Sequence, residues 1–368
     1  MAFSDLELGR WTGSPLHLFE FRYQSMVFRF AAASRDFVLG VGVDAVTFKA
    51  AQIQRSQIRQ TAERAKERVT IKMAYLRKGG ATSAEYPSTQ ALGNLWHPYV
   101  PSDTVQVTCL ATHHGSSDPP EVEWIGEVVQ PKFGDIELEL ACTPTSDIDR
   151  ARNQGPKFQV NCWKTPYSTG LSGCNLPAGP MSRPATLTAV AGDVITAEEF
   201  ADPPRPLVGG SVRWTTIEGS EEVQHSAVIT AHAGSTLTLD DAAGLSTGSE
   251  VVLYTVPLTV TGPLISVDGL SLVADHFATA LFSLAGGSLA WVDSDGILQR
   301  RTIMAHSGTS ITLLSASPGL AAGVVVTAKP SCPRGWEACS ARHNTVHYGG
   351  AAYKPVKNPL AGVSMSWG

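Results

Sequence analysis

GGSVRW, residues 209–214, returns as GGSLAW at 286–291, and HSAVITAHAGSTLTL (225–239) returns as RRTIMAHSGTSITLL (300–314). The glycine–tryptophan blocks are 77 residues apart, and His232-Ala-Gly234 and His306-Ser-Gly308 are 74 apart, so one loop is shorter in the second copy. Each copy alternates Val, Ile or Leu with Ser or Thr and is punctuated by glycine. Alternation of period two with glycine turns reads as short strands. Two copies are too few for a solenoid, so two small β-modules in tandem are expected. The reading places them at 179–255 and 256–331.

Charge marks the same segment. Residues 176–331 hold 6 Lys+Arg and 14 Asp+Glu, a net of −8, out of 28 and 33 in the whole chain, which leaves 22 basic and 19 acidic residues, or +3, for the rest. Such a break is a domain cue. The 368 residues are enough for two or three domains, and 43% apolar against 17% charged residues describes a globular chain. The net charge of −5 argues against a nucleic-acid surface. No run of eighteen apolar residues is present, so no membrane span is expected. The start MAFSDLELGRW lacks a basic stretch followed by an apolar one, so no signal peptide is expected and assembly in a cytoplasm is.

Residues 1–145 read as an antiparallel β-domain. LHLFEFRY (16–23) and QSMVFRFA form a hairpin, VTFKAAQIQ (46–54) and RVTIKMAY (68–75) are strands, and TVQVTCLAT (104–112) alternates strictly. EVEWIGEVVQPKFGDIELELACTP (121–144) reads as two strands around a turn at Pro131–Asp135. Periodicity leaves Gln54–Lys66 undecided between strand and helix, loops are expected near 77–102, and a short helix at Ser146–Asn153.

The modules interrupt a cysteine-bearing region. FQVNCWKTPYSTGLSGCNLP (158–177) precedes them and CPRGWEACSARHNTVHYGG (332–350) follows. Cys109 and Cys142 lie inside alternating strands, where a free cysteine acts as a small apolar residue. Cys162, Cys174, Cys332 and Cys339 sit in loops rich in Gly and Pro, and disulfides are not expected in a reducing cytoplasm. Two close pairs at the ends of a long insertion suit a four-thiolate site. Eleven and six intervening residues are loose for structural zinc, whose pairs are closer, whereas a cubane accepts wider loops. Zinc remains the alternative.

The C-x6-C run followed by Arg342-x-Asn344 and Tyr348-Gly-Gly resembles the C-terminal domain of phage tail tip proteins similar to lambda's tail tip protein L. It also resembles hub proteins of gene transfer agents and related baseplates. LHLFEFRYQSMVFRFAAASRDF looks like the start of such hubs, and the module ending at Lys329 looks like one placed before their cysteines. The resemblance implies a [4Fe–4S] cluster on Cys162, Cys174, Cys332 and Cys339. It implies a mainly β chain: an N-terminal hub domain (1–145), and a small iron–sulfur domain (146–178 plus 332–368) interrupted by the two modules. It implies a structural virion protein of the tail tip or baseplate that links the distal tail tube ring to the central fibre or spike. Its partners would be its own copies as a homotrimer, the distal tail protein, the central fibre or spike protein, and side fibres. The chain departs from the family in duplicating the module and in Ala351-Ala352, where an aromatic is common.

Other constellations are weaker. His113, His114 and Asp118 read as a solvated turn rather than a metal site. His343 and His347 read as surface or packing residues, and Trp163 and Trp336 as packing near the cysteines. Trp214 and Trp291 read as core residues under a turn before they read as a sugar platform. No G-x-S-x-G, H-E-x-x-H or phosphate loop is present, so no enzyme is expected. The competing classes are a metal- or cluster-dependent redox enzyme and a glycan-binding β-module protein with a zinc-stapled core.

Overall fold

The computed structural model describes residues 14–40, 45–58, 68–77, 85–114, 116, 118–145, 159–218 and 221–353. The chain is mainly β and divides into two compact units. One is Met1–Gln154 with the short segments Val292–Gln299 and Ser317–Gly319; the other is the remainder from Gly155. Among the described residues no helix is long and apolar enough to cross a membrane.

The first unit carries a nine-stranded sheet: β1 (Pro15–Tyr23), β2 (Met26–Ala31), β3 (Phe37–Leu39), β4 (Val46–Ala50), β5 (Ile53–Arg55), β6 (Val69–Ala74), β7 (Gln106–His113), β8 (Glu121–Phe133) and β9 (Glu137–Pro144). The order across it is β3-β4-β2-β1-β7-β8-β9-β6-β5. Alternation does the sorting. Phe19, Phe21 and Tyr23 of β1 point into one core with Phe30, Ile71, Met73, Val107, Leu138 and Leu140, while Leu16 and Leu18 join Phe48 on the other face. Cys109 and Cys142 lie in the first core at 1% exposure.

Three expectations change here. VTFKAAQIQ is not one strand: β4 pairs with β2 and β3, and β5 pairs with β6 at the far end of the order. Only Ala51 and Gln52 separate them, a reach of about 11 Å at most from Ala50 to Ile53. Seven flat inter-strand steps would need about 34 Å, so the sheet must curl until its ends approach. The domain is not wholly antiparallel either, because β2 and β4 run parallel, with Phe30 opposite Lys49. The turn expected at Pro131–Asp135 begins later. β8 continues through Pro131, opposite Leu140, to Phe133, and absorbs the proline beside a register shift between Val128 and Gln130. A bulge tolerates a residue that cannot donate to the ladder. The helix expected at Ser146–Asn153, and 59–66 of the undecided segment, lie outside the described residues.

In the second unit, β10 (Ser182–Thr186), β11 (Ala189–Ala191), β12 (Val194–Thr196), β13 (Ser211–Glu218), β14 (Glu221–Ala233), β15 (Thr236–Leu239) and β16 (Glu250–Tyr254) form one sheet. β17 (Val260–Pro263), β18 (Ser266–Asp268), β19 (Ser271–Val273), β20 (Ser288–Val292), β21 (Leu298–Ser307), β22 (Ser310–Leu313) and β23 (Val325–Lys329) form another. The orders are β10-β16-β13-β14-β15-β12-β11 and β17-β23-β20-β21-β22-β19-β18, the same topology strand for strand.

The repeated motifs have one structural cause in both copies. In the Gly-Gly pairs the first residue has positive φ, 86° at Gly209 and 73° at Gly286. A Cβ on the second would stand 2.2 Å from the Tyr254 carbonyl oxygen at Gly210, and 2.1 Å from that of Lys329 at Gly287. The tryptophans are core residues, Trp214 at 6% and Trp291 at 2% exposure. The histidines are clips. His232 Nε2 lies 2.9 Å from the carbonyl oxygens of both Phe200 and Gly234, and His306 Nε2 lies 3.1 Å from those of Phe277 and Gly308. The Leu284 N–H donates to His306 Nδ1 at 3.2 Å, so Nε2 carries the ring hydrogen. Phe200 and Phe277, each fully buried, are thereby tied to the turn that follows β14 or β21.

His306→Ala is expected to destabilise the second module by about 1–3 kcal/mol in denaturant titrations, because it orphans the Leu284 N–H and removes the donor to two carbonyls. His232→Ala should do the same in the first. In the other unit, burial pushes the Cys109 thiol from 9.0 up to about 12 and the Cys142 thiol upward as well. The native state keeps these protons where the unfolded chain releases them. Their contribution is therefore complete below pH 9 and is lost as pH rises toward 12. Cys109→Ala should cost about 1 kcal/mol at neutral pH and flatten the alkaline decline followed by thermal unfolding.

Candidate functional site: a pair of cysteine loops

The loop before the modules is held by its own side chains. Asn175 clips Gly170, accepting from its N–H at 2.9 Å and donating Nδ2 to its carbonyl at 3.0 Å. Ser168 Oγ accepts the Cys174 N–H at 3.0 Å and donates to the Thr165 carbonyl at 2.7 Å. Tyr167 and Asn175 hold positive φ, 63° and 52°. Non-glycine residues in that region mark a backbone over-determined by its surroundings. Beyond the modules, a short helix, Trp336–Ser340, carries Cys339.

The two loops are joined at every step. The Cys162 N–H donates to the Arg334 carbonyl at 2.8 Å, and Ala351 N–H to Gln159 at 2.7 Å. Tyr167 Oη donates to the Pro330 carbonyl at 2.7 Å, and Tyr348 Oη to that of Val160 at 2.5 Å. Asn344, 7% exposed, donates Nδ2 to the Cys174 carbonyl at 2.8 Å and lies 3.5 Å from its Sγ. The Gly349 N–H points at Cys162 Sγ from 3.3 Å. The Tyr-Gly-Gly run is thus a seam. A Cβ on Gly349 would meet Lys164 Cγ at 2.9 Å, Trp163 Nε1 at 3.0 Å and Cys162 Sγ at 3.3 Å, and one on Gly350 would stand 2.4 Å from the Val160 carbonyl oxygen.

Cys162, Cys174 and Cys339 are each 8% exposed and Cys332 is half-buried. Burial, then Cys174, Cys332 and Cys162, push the Cys339 thiol up to about 11, against a smaller pull downward from Arg342. Among the described residues no three His, Cys, Asp or Glu side chains are gathered as ligands of one metal ion. Two N–H groups are aimed at sulfur, Asn344 Nδ2 at Cys174 and the Gly349 amide at Cys162. Hydrogen bonds to sulfur stabilise thiolates and tune whatever they ligate. Four thiols with N–H donors beside them are the donor chemistry that a tetrathiolate group requires.

The remaining sequence candidates stay outside. His113 is 3% exposed and belongs to β7, so the stretch is not the wholly solvated turn expected, although His114 is exposed. His343 is exposed and His347 half-buried. Trp336 is 39% exposed and packs edge-on against Tyr348, with ring centroids 5.2 Å apart. Ala351 and Ala352 are half-buried. Sequence reasoning missed Tyr167, Phe282 and Arg205. What sets them apart is contact with residues distant in the chain, Pro330 for Tyr167, Arg342 for Phe282 and Gly179 for Arg205, and no motif signals it.

The chain belongs to the family of a protein of Xylella fastidiosa (strain 9a5c), described as an uncharacterized protein, with which it is 37% identical over an alignment taking in 100% of both chains. Residues 283–358 match the family described as "Phage conserved hypothetical protein BR0599". Among solved structures, a chain described as "Virion of native gene transfer agent (GTA) particle" is similar at 14% identity and a TM-score of 0.45, covering 100% of this chain and 98% of that one.

Asn344→Asp tests the seam. It removes the donors to Cys174 and places a carboxylate among the sulfurs, so a loss of about 2 kcal/mol or more is expected in thermal or denaturant unfolding. Asn344→Ala should cost less.

Proposed function

We propose that this protein is a structural component of a phage-like tail tip or baseplate. It would be a hub joining the distal tail tube ring to the central fibre or spike, with a [4Fe–4S] cluster on Cys162, Cys174, Cys332 and Cys339 as an internal staple. One observation carries the reading. The segment matched to the phage family, 283–358, contains Cys332 and Cys339 together with Asn344, Tyr348 and Gly349, which reach back to the loop of Cys162 and Cys174.

When bound, the cluster supplies a four-point crosslink. The chain's own residues do the rest. Asn344 and the Gly349 N–H hold two sulfurs in place. Tyr348 ties the second loop to Val160 beside Cys162, and Ser168 of the Tyr167 loop fixes Cys174. Binding requires four thiolates, so four protons leave as it forms. The modules, 179–255 and 256–331, are an insertion whose two ends the site ties together inside a small domain of 146–178 plus 332–368. Assembly needs broad β surfaces rather than a pocket. The partners are further copies of the chain as a trimer, the distal tail protein, the fibre or spike protein and side fibres, and the location is the virion.

Protein purified without oxygen should be brown and contain about four irons per chain with matching acid-labile sulfide. Stoichiometric zinc without sulfide would overturn the cluster. Particles carrying Cys332→Ser with Cys339→Ser should stop before tail-tip completion. Normally shaped tails failing only at a later step would assign the site an active chemical role instead.

A further inference from the structure

Two arginines of the second unit are almost wholly buried, Arg205 at 4% and Arg342 at 5% exposure. Arg205 donates Nη1 to the Gly179 carbonyl at 2.9 Å and Nη2 to that of Pro177 at 2.6 Å. Arg342 donates Nη1 to Ala338 at 3.0 Å and Nη2 to Ser331 at 3.0 Å, with its guanidinium carbon 4.0 Å from the centre of the Phe282 ring. Neither makes an ion pair with a carboxylate among the described residues. The Nε of each is buried without a partner. Arginine does not escape burial by losing its proton, and an uncompensated buried charge costs several kcal/mol. Neutral carbonyls and one aromatic face are poor compensation for two such charges in one small region.

Cysteine loops lie beside them: the Phe282 ring under Arg342 packs, with Tyr167, against the cluster of Cys174 and Leu176. The Pro177 carbonyl held by Arg205 is three residues beyond Cys174, and the Ser331 carbonyl held by Arg342 adjoins Cys332. Each guanidinium therefore grips the chain within three residues of a cysteine, at opposite ends of the insertion.

We infer that Arg205 and Arg342 are the built-in counter-charge of the four-cysteine site, placed to offset the two negative charges that a tetrathiolate metal group carries. The inference rests on the tetrathiolate reading above, but not on which metal is bound. Four thiolates around a doubly positive core, whether an oxidised cubane or a zinc ion, leave a net charge of 2−, and two guanidiniums match it. The consequence is an inversion of sign. In the metal-loaded protein the arginines are stabilising. In the metal-free protein they are buried cations without a carboxylate partner among the described residues.

The experiment uses the full chain, purified anaerobically, with Arg205→Gln, Arg342→Gln and Arg342→Lys. Release of iron or zinc to EDTA and thermal unfolding of loaded and metal-free forms are measured. The two Gln variants should release metal about tenfold faster or more, while their metal-free forms melt at or above the metal-free parent. Arg342→Lys, which keeps the charge and loses the fork, should recover most of the retention. Release at the parent rate, or equal destabilisation of loaded and metal-free forms, would reduce the arginines to structural clips and overturn the proposal. A parent chain holding neither iron nor zinc would be a different failure, that of the four-thiolate site itself.

Discussion

Everything in the second unit hangs on one closure. The chain leaves the loop of Cys174, builds two β-modules over more than 150 residues, and must come back to the same place at Cys332. Closing a flexible loop of that length costs entropy, though only slowly more as it lengthens. The cost is met in part by folding the insertion into two compact sheets. The rest falls on a short seam: Cys162 to Arg334, Asn344 to Cys174, Tyr348 to Val160 and Ala351 to Gln159. Hydrogen bonds of this kind contribute about 1 kcal/mol each net. Such a seam gains much from a further crosslink, and the four cysteines stand where a crosslink would act.

The duplicated modules show what a fold keeps and what it lets drift. Both retain a left-handed glycine, a second glycine against a carbonyl, a core tryptophan and a histidine clip. Register confirms the correspondence: Ser211 lies opposite Tyr254 in one, and Ser288 opposite Lys329 in the other. Positions that face outward on the same strands have diverged. Arg213, stacked over Tyr254 at 4.7 Å, has Ala290 and Lys329 at the corresponding places. The conserved set answers backbone geometry and orphaned polar groups, which every copy must satisfy. The outward set answers only to solvent or partners.

The first unit obeys a different constraint. Strands β4 and β5 are neighbours in sequence and belong to opposite ends of the sheet, so curvature is imposed by covalent reach. The parallel β2–β4 pair and the bulged β8 are accommodations to it. The same curvature encloses a core in which Cys109 and Cys142 are packing residues, with thiols raised by burial.

Local rules made much of this legible in the residues alone. Period-two alternation marked β1, β2, β6, β7 and β9, because each has one face to bury. The repeated Gly-Gly and His-x-Gly blocks marked two equivalent modules, because the same backbone problem has the same chemical answer twice. Cys162, Cys174, Cys332 and Cys339 stood out because they alone escape the strand pattern. Other features depended on where distant segments meet. VTFKAAQIQ alternates as well as any strand, and only the curled sheet breaks it at Ala51. Pro131 looked like a turn until a bulge and β9 accommodated it within β8. Asn344, Gly349 and Arg342 were visible as a motif, but their targets were not, since each bonds a residue more than 150 positions away or a carbonyl beside a cysteine. Arg205 had no signal at all. Its burial follows from the meeting of its loop with Pro177 and Gly179, and that meeting is decided by tertiary packing, not by any local preference of the chain.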